Sequence, residues 1–191
     1  SSTRREVSEA YDRIAFAGVG KYNEFDQLRI SGVRAADLKG YSFSREDVDA
    51  RSLANQYAQI LGQVFTHEMK PLEVEILVAE VGAEPGDDQL FHLLYDGTVI
   101  DEDVFAVLGG DAESVATRVA EGLGADPDLA TVVRVATGAL AGPDRTLGAT
   151  DLEVALLDRH AARRCFRRLE RSEVAAILEG APATPEATDS A

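Results

Sequence analysis

Residues 72–97 read LEVEILVAEVGAEPGDDQLFHLLYDG. Leu72 to Val81 alternates as Leu72, Val74 and Ile76 against Glu73 and Glu75, which describes a strand with one wet face at its start. Gly82 to Asp88 is a polar turn, and Leu90 to Tyr95 is the return strand. Asp96-Gly97 is a hairpin signal, because both residue types tolerate positive φ. Strands gathered into hairpins favour an antiparallel sheet over the strand-helix alternation of a Rossmann fold.

Upstream, Ile14 to Gly20 is apolar without alternation and reads as a strand covered on both faces. A helix is expected after Lys21, carrying Tyr22, Phe25 and Leu28, with Ser31-Gly32 as a stop or kink. Ser44 and Asp47 make a capping-box pattern. Behind it, Leu53, Ala54, Tyr57, Ile60, Leu61, Val64 and Phe65 form the clearest helical stripe of the chain, and Lys70-Pro71 breaks it.

Downstream, Val104 to Leu108 reads as a third buried strand. Gly109-Gly110-Asp111 then caps a helix bearing Val115, Val119 and Leu123, with Gly124 at its C-terminus. Asp126-Pro127 opens the next helix as cap and first-turn proline, with Leu129, Val132, Val133, Ala136 and Leu140 as its stripe. After a loop from Ala141 to Thr150, Leu152 to Leu157 and Cys165 to Leu169 are strands around an Arg-rich turn. Ser172 caps a last helix that stops at Gly180. Residues 1–180 make one domain, and residues 181–191 (APATPEATDSA) are expected to be a disordered acidic tail. The order is strand, two helices, three strands, two helices, two strands, one helix: an α+β chain with helices outside antiparallel sheet.

The 191 residues suffice for one domain with a sizeable core. Thirty-four acids against nineteen bases give a net charge of −15. Such a surface repels phosphate backbones and anionic lipid, so neither nucleic acid nor a membrane is expected as a partner. No apolar run approaches the roughly 20 residues that span a bilayer. SSTRREVSEA at the start has no apolar signal core. The single cysteine, Cys165, forms no internal disulfide, suits a reducing cytoplasm, and reads as a small structural residue.

Candidate motifs fail on chemistry. Gly18-Val19-Gly20-Lys21 is laid out like a phosphate loop. A Walker loop needs glycine at Ala15 and a hydroxyl at Tyr22; the dinucleotide fingerprint needs glycine at Asn23. The glycines read instead as packing and turning residues. His67-Glu68 begins a zinc-protease motif whose second histidine would fall on Pro71. His92 and His160 have no ligand-spaced partners, and Asp101-Glu102-Asp103 lacks the alternation and glycine of a calcium loop. Ser1 could be a self-activated nucleophile, but Ser1-Ser2-Thr3-Arg4-Arg5 has no apolar strand pattern to hold it. The residues alone give no catalytic, metal or cofactor site.

Several blocks carry a resemblance. Tyr11-Asp12-Arg13, Ala15-Phe16-Ala17 and Gly20-Lys21-Tyr22-Asn23-Glu24-Phe25 are similar to the actinobacterial type of proteasome core-particle α subunit. So are Lys39-Gly40-Tyr41, Leu53-Ala54-Asn55-Gln56-Tyr57-Ala58-Gln59 and Lys70-Pro71-Leu72-Glu73-Val74. Leu93-Leu94-Tyr95-Asp96-Gly97 and Leu152-Glu153-Val154-Ala155 extend the match, which runs from about Val7 to Gly180. The resemblance implies a four-layer αββα sandwich, two antiparallel sheets between helix layers, of the Ntn-hydrolase type but non-catalytic. It implies a homo-heptameric α ring stacked on proteasome β subunits, forming the gate and antechamber for protein substrates in transit. It implies docking of a ring-shaped AAA ATPase, with hydrolysis left to the β subunit's N-terminal threonine. The competing reading is a β-like N-terminal-nucleophile threonine hydrolase, which needs an N-terminal Thr or Ser leading into a buried strand.

Two departures from the family bear on function. Family members carry a gating segment, a helix and two strands ahead of the position of Val7, so the chain is expected to be N-terminally truncated, with the Ile14 to Gly20 strand deprived of neighbours as an open apolar edge, and the chain alone is expected to aggregate or fail to form rings. Members often carry a lysine that pairs with the ATPase's terminal carboxylate at the position of Glu6, with Arg4 and Arg5 beside it here. Arg5 could take over as a bidentate carboxylate partner, docking could be weaker, or the run could be a plain solvated one.

Overall fold

The computed structural model describes residues 7–20, 48–67 and 73–181. In chain order its elements are β1 (Val7–Tyr11), β2 (Ile14–Gly20), α1 (Ala50–His67), β3 (Val74–Glu80), β4 (Gln89–Leu93) and β5 (Val99–Asp101). Then come α2 (Ala112–Leu123), α3 (Leu129–Ala141), β6 (Ala155–Leu157), β7 (Phe166–Arg168) and α4 (Arg171–Leu178). Five strands form one sheet in the order β1-β2-β3-β4-β5, and β6 and β7 form a second. Every pair is antiparallel, as the hairpin reading requires.

The period-2 pattern fixes which face is buried. Ile14, Phe16, Ile76, Val78, Phe91 and Leu93 are each at most 1% exposed. They meet Leu53, Ala54, Tyr57 and Leu61 of α1 in one cluster, with the Phe16 and Tyr57 rings 5.0 Å apart. Each large side chain in it contributes about 1.5–3 kcal/mol through burial. Gly97 closes the β4–β5 turn at φ +92, and a Cβ there would stand 2.7 Å from the Ala58 carbonyl oxygen, so only glycine lets the turn tuck against α1. A second cluster joins α3 and α4 through Val133, Leu169, Val174 and Ile177. A third joins α2 and α3 through Val115, Val119 and Ala139.

Several expectations are corrected. β1 was not expected, and it pairs with β2 on the side away from β3, so Ile14–Gly20 is a flanked strand and not an open edge. The strand after the Asp96-Gly97 turn is Val99–Asp101, not Val104 to Leu108. The tight turn returns the chain at once, so Val99, Ile100 and Asp101 pair with Leu93, His92 and Phe91. Val104 is 78% exposed, while Phe105 and Val107 pack on the α2–α3 cluster.

Helix starts also move. The stripe helix opens at Ala50, with the Ser52 amide donating to Asp49 Oδ1 at 2.7 Å. Asp128, not Asp126, caps α3, accepting from the Thr131 amide at 2.8 Å. Glu170, not Ser172, is the N-cap of α4; its amide donates to Glu173 Oε1 at 3.0 Å. Phe65 lies off the buried face of α1, 45% exposed. The helix expected after Lys21, the Ser44 and Asp47 pair, Lys70-Pro71 and residues 182–191 lie outside the described residues.

Candidate functional site

Gly20 sits at φ +140, and a Cβ there would overlap the Glu73 carbonyl oxygen of the neighbouring chain segment. That is a packing glycine. Cys165 is 1% exposed, its Sγ donates to the Arg163 carbonyl at 3.8 Å, and burial pushes its thiol pKa up. A nucleophilic thiol needs the opposite shift. His92 Nε2 lies 2.7 Å from Glu75 Oε2, with Nδ1 3.8 Å from Glu102 Oε1, so the ring lies between a carboxylate of β3 and one just past β5. Asp101 faces Arg51 at 3.4 Å. His67 ends α1, and His160 lies in the β6–β7 turn. Among the described residues no group of three or more His, Cys, Asp or Glu could hold a metal ion. Ser1, Arg5 and Glu6 lie outside the described residues.

What the fold does assemble is a belt of arginines that runs from the β1–β2 and β3–β4 turns along β1. Arg13, in the β1–β2 turn, donates to the Val81 and Gly82 carbonyls at 2.7 Å each. Arg159 donates to the Gly82 carbonyl at 2.8 Å and grips Asp88 in a two-pronged pair at 2.7 and 2.8 Å. Hydrogen bonding by Arg159 first, and by the Gly82 amide, holds Asp88 below the usual carboxylate range. Arg164 pairs with Glu9 at 2.9 Å, and the Cys165 amide donates to the Asp12 carbonyl at 2.9 Å. Arg168 pairs with Glu153 and donates to the Val7 carbonyl at 2.7 Å. Val7 is the chain neighbour of Glu6, so Arg168 is the described cation bonded next to the expected docking residues. The sequence showed an Arg-rich turn but not its partners, most of which lie 71 to 161 residues away along the chain, Glu153 being 15 from Arg168.

An apolar groove of about 420 Å³ separates the outer face of the five-stranded sheet from the smaller sheet and α3. Ala17 and Leu77 line one wall, Leu156 and Phe166 the other. The expected α3 stripe, Leu129, Val132, Val133, Ala136 and Leu140, lines it in full. Of these, Val132 and Leu140 are 38% and 46% exposed, while Val133 belongs to the buried α3–α4 cluster, so the stripe is divided between groove and core.

The chain matches no protein-family model. A protein of Acidimicrobium ferrooxidans named proteasome subunit alpha is 59% identical over 182 residues, covering 95% of this chain and 78% of that protein. One of Sanguibacter keddieii, with the same name, is 53% identical over 193 residues, covering 98% and 74%. A third, from Parafrankia, is 50% identical over 187 residues, covering 94% and 78%. The chain belongs to the proteasome α-subunit family. The antiparallel sheets and outer helices agree with the fold expected of that family. No described helix is long and apolar enough to cross a membrane.

Proposed function

We propose that this chain is a non-catalytic ring subunit of a proteasome core. Seven copies form an α ring that stacks on rings of β subunits, which supply the hydrolytic threonine. The α ring forms the gate and antechamber through which protein substrates pass, and it offers a docking surface to a ring-shaped AAA ATPase in the cytoplasm. The two sheets form the inner layers of a four-layer sandwich closed by helices. Arg5 is the candidate partner for the ATPase's terminal carboxylate, with Glu6 at the position where the family's lysine stands. The observation that carries the reading is 59% identity across 95% of the chain to a protein named proteasome subunit alpha.

The test is co-production with its proteasome β subunit, followed by electron microscopy and a fluorogenic peptide assay. Stacked seven-membered rings are expected. Peptide cleavage should vanish when the β threonine becomes alanine and persist when Ser1 of this chain does. Cleavage by this chain without β, abolished by Ser1→Ala, would establish the threonine-hydrolase-like reading instead. For the pocket, Arg5→Ala should weaken binding of an ATPase C-terminal peptide to assembled rings; unchanged binding removes Arg5 from it.

A further inference from the structure

His92 stands where two acids meet across three strands. It is in β4, and the register sets it opposite Leu77 of β3 on one side and Ile100 of β5 on the other. Residues two apart along an extended chain share a face, so Glu75 and Glu102 stand on the face that His92 occupies. Each is one diagonal step from it, a span that long side chains cross. Glu75 lies toward the C-terminal end of β4 and Glu102 toward its N-terminal end, so the acids approach the ring from opposite directions. The histidine side chain is only 12% exposed, so water screens it little.

The two contacts are unequal. Nε2 is 2.7 Å from Glu75 Oε2, a hydrogen-bond distance. Nδ1 is 3.8 Å from Glu102 Oε1, too far for a hydrogen bond. A neutral imidazole has one N–H and one lone pair, and an ionised carboxylate only accepts. The bond to Glu75 assigns the single proton to Nε2. The Nδ1 lone pair then faces a Glu102 oxygen, acceptor against acceptor. A second proton removes that conflict. Both nitrogens donate, and Glu102 has to close by only about 1 Å to bond.

Among the described residues no third carboxylate lies within 4 Å of the ring. Glu80, Asp88, Asp101, Asp103 and Arg159 line a cavity with Glu102, and Arg159 is held there by Asp88. Arg51 sits on the other face of the sheet, over the Phe91 ring. What Glu102 holds is the end of the sheet. β5 has three residues and ends the strand order. The Glu102 amide, donating to the Leu90 carbonyl at 2.9 Å, ties the chain just past it. Two residues on, Val104 is 78% exposed.

We infer that His92 is a proton-operated clasp. The doubly protonated ring holds Glu75 and Glu102 together and pins the end of β5 to the sheet; the neutral ring keeps Glu75 and releases Glu102. Imidazole is the side chain that ordinarily changes charge between pH 5 and 8, which is where such a device responds. The inference does not depend on the ring reading.

Hydrogen exchange of the full chain, in the form recovered from co-production with the β subunit, reads the clasp at the Glu102 amide. After correction for the intrinsic pH dependence of exchange, and relative to the core Val78 amide, protection should be about fivefold higher at pH 5.5 than at pH 7.5. That factor corresponds to about 1 kcal/mol. Glu102→Gln keeps the length and brings an N–H that can donate to the bare Nδ1, so its ratio should fall to within about twofold of one. His92→Gln should do the same. Asp101→Asn removes an acid from the other face of β5 and should leave the ratio intact. A wild-type ratio near one overturns the inference whether or not the variants fold. So does a ratio that survives in both Glu102→Gln and His92→Gln. Loss of the ratio in Asp101→Asn as well would trace the effect to general charge on β5, and that also overturns the clasp.

Discussion

Truncating Phe16 to alanine tests whether the face shared by β2 and α1 is the core. Phe16 is 0% exposed and stacks on Tyr57 at 5.0 Å. A buried phenylalanine removes about 200 Å² from water. At about 25 cal/mol per Å² that is about 5 kcal/mol, an upper figure because the unfolded chain already hides some of it. Discounting by about a third leaves about 3 kcal/mol, and the unfilled cavity and the lost ring pair bring the cost to about 3–5 kcal/mol. A chain of this length loses about 2–4 °C of Tm per kcal/mol, so the midpoint should fall by roughly 10 °C. Urea unfolding at fixed protomer concentration is the assay, since assembly adds a concentration-dependent contribution. Val132→Ala, on a residue 38% exposed in the groove, is the control and should cost less than about 1 kcal/mol. If Phe16→Ala costs no more than Val132→Ala, the two faces of the sheet have been assigned the wrong way round.

Asp88 carries a pH prediction. Its pKa in the folded chain lies below the unfolded value of about 3.9, chiefly because Arg159 hydrogen-bonds the ionised form. Its contribution is present above the unfolded value and disappears as pH falls through the folded one. Asp88→Asn should lower urea midpoints at pH 7 and flatten the acid limb below about pH 4; an unchanged acid limb would refute the assignment. Gly97→Ala should cost more than about 1 kcal/mol, from a Cβ 2.7 Å from the Ala58 carbonyl at φ +92. Gly110→Ala, with nothing within 4 Å of the added carbon, should be near neutral by the same measurement.

The elements legible in the sequence are those whose burial is local. β2 has the bounds of its apolar run, and Val74–Glu80 lies inside the alternation from Leu72 to Val81. Gly124, at φ +63, is the helix-ending glycine it was read to be. β1 was illegible because VSEAY buries only Ala10 fully, and its place is set by pairing with β2. β5 was illegible for a stronger reason. All three of its residues are exposed, so no apolar pattern marks it, and the following run from Val104 is a better strand by composition yet a worse one by position. The Asp96-Gly97 turn fixes where pairing resumes, and that outranks propensity.

The arginine belt shows the same division at the level of function. Composition alone gave a net charge of −15 and with it the expectation that anionic partners are disfavoured. It could not show that Arg159, Arg163, Arg164, Arg167 and Arg168 sit within ten residues and that four of them are spent on Asp88, Glu9, Glu173 and Glu153. Those acids come from four different places in the chain, so only folding brings the pairs together. Arg159 reaches the β3–β4 turn and Arg164 reaches β1, so these pairs tie the β6–β7 turn across the end of the five-stranded sheet, a long-range link that no local pattern in the sequence marks.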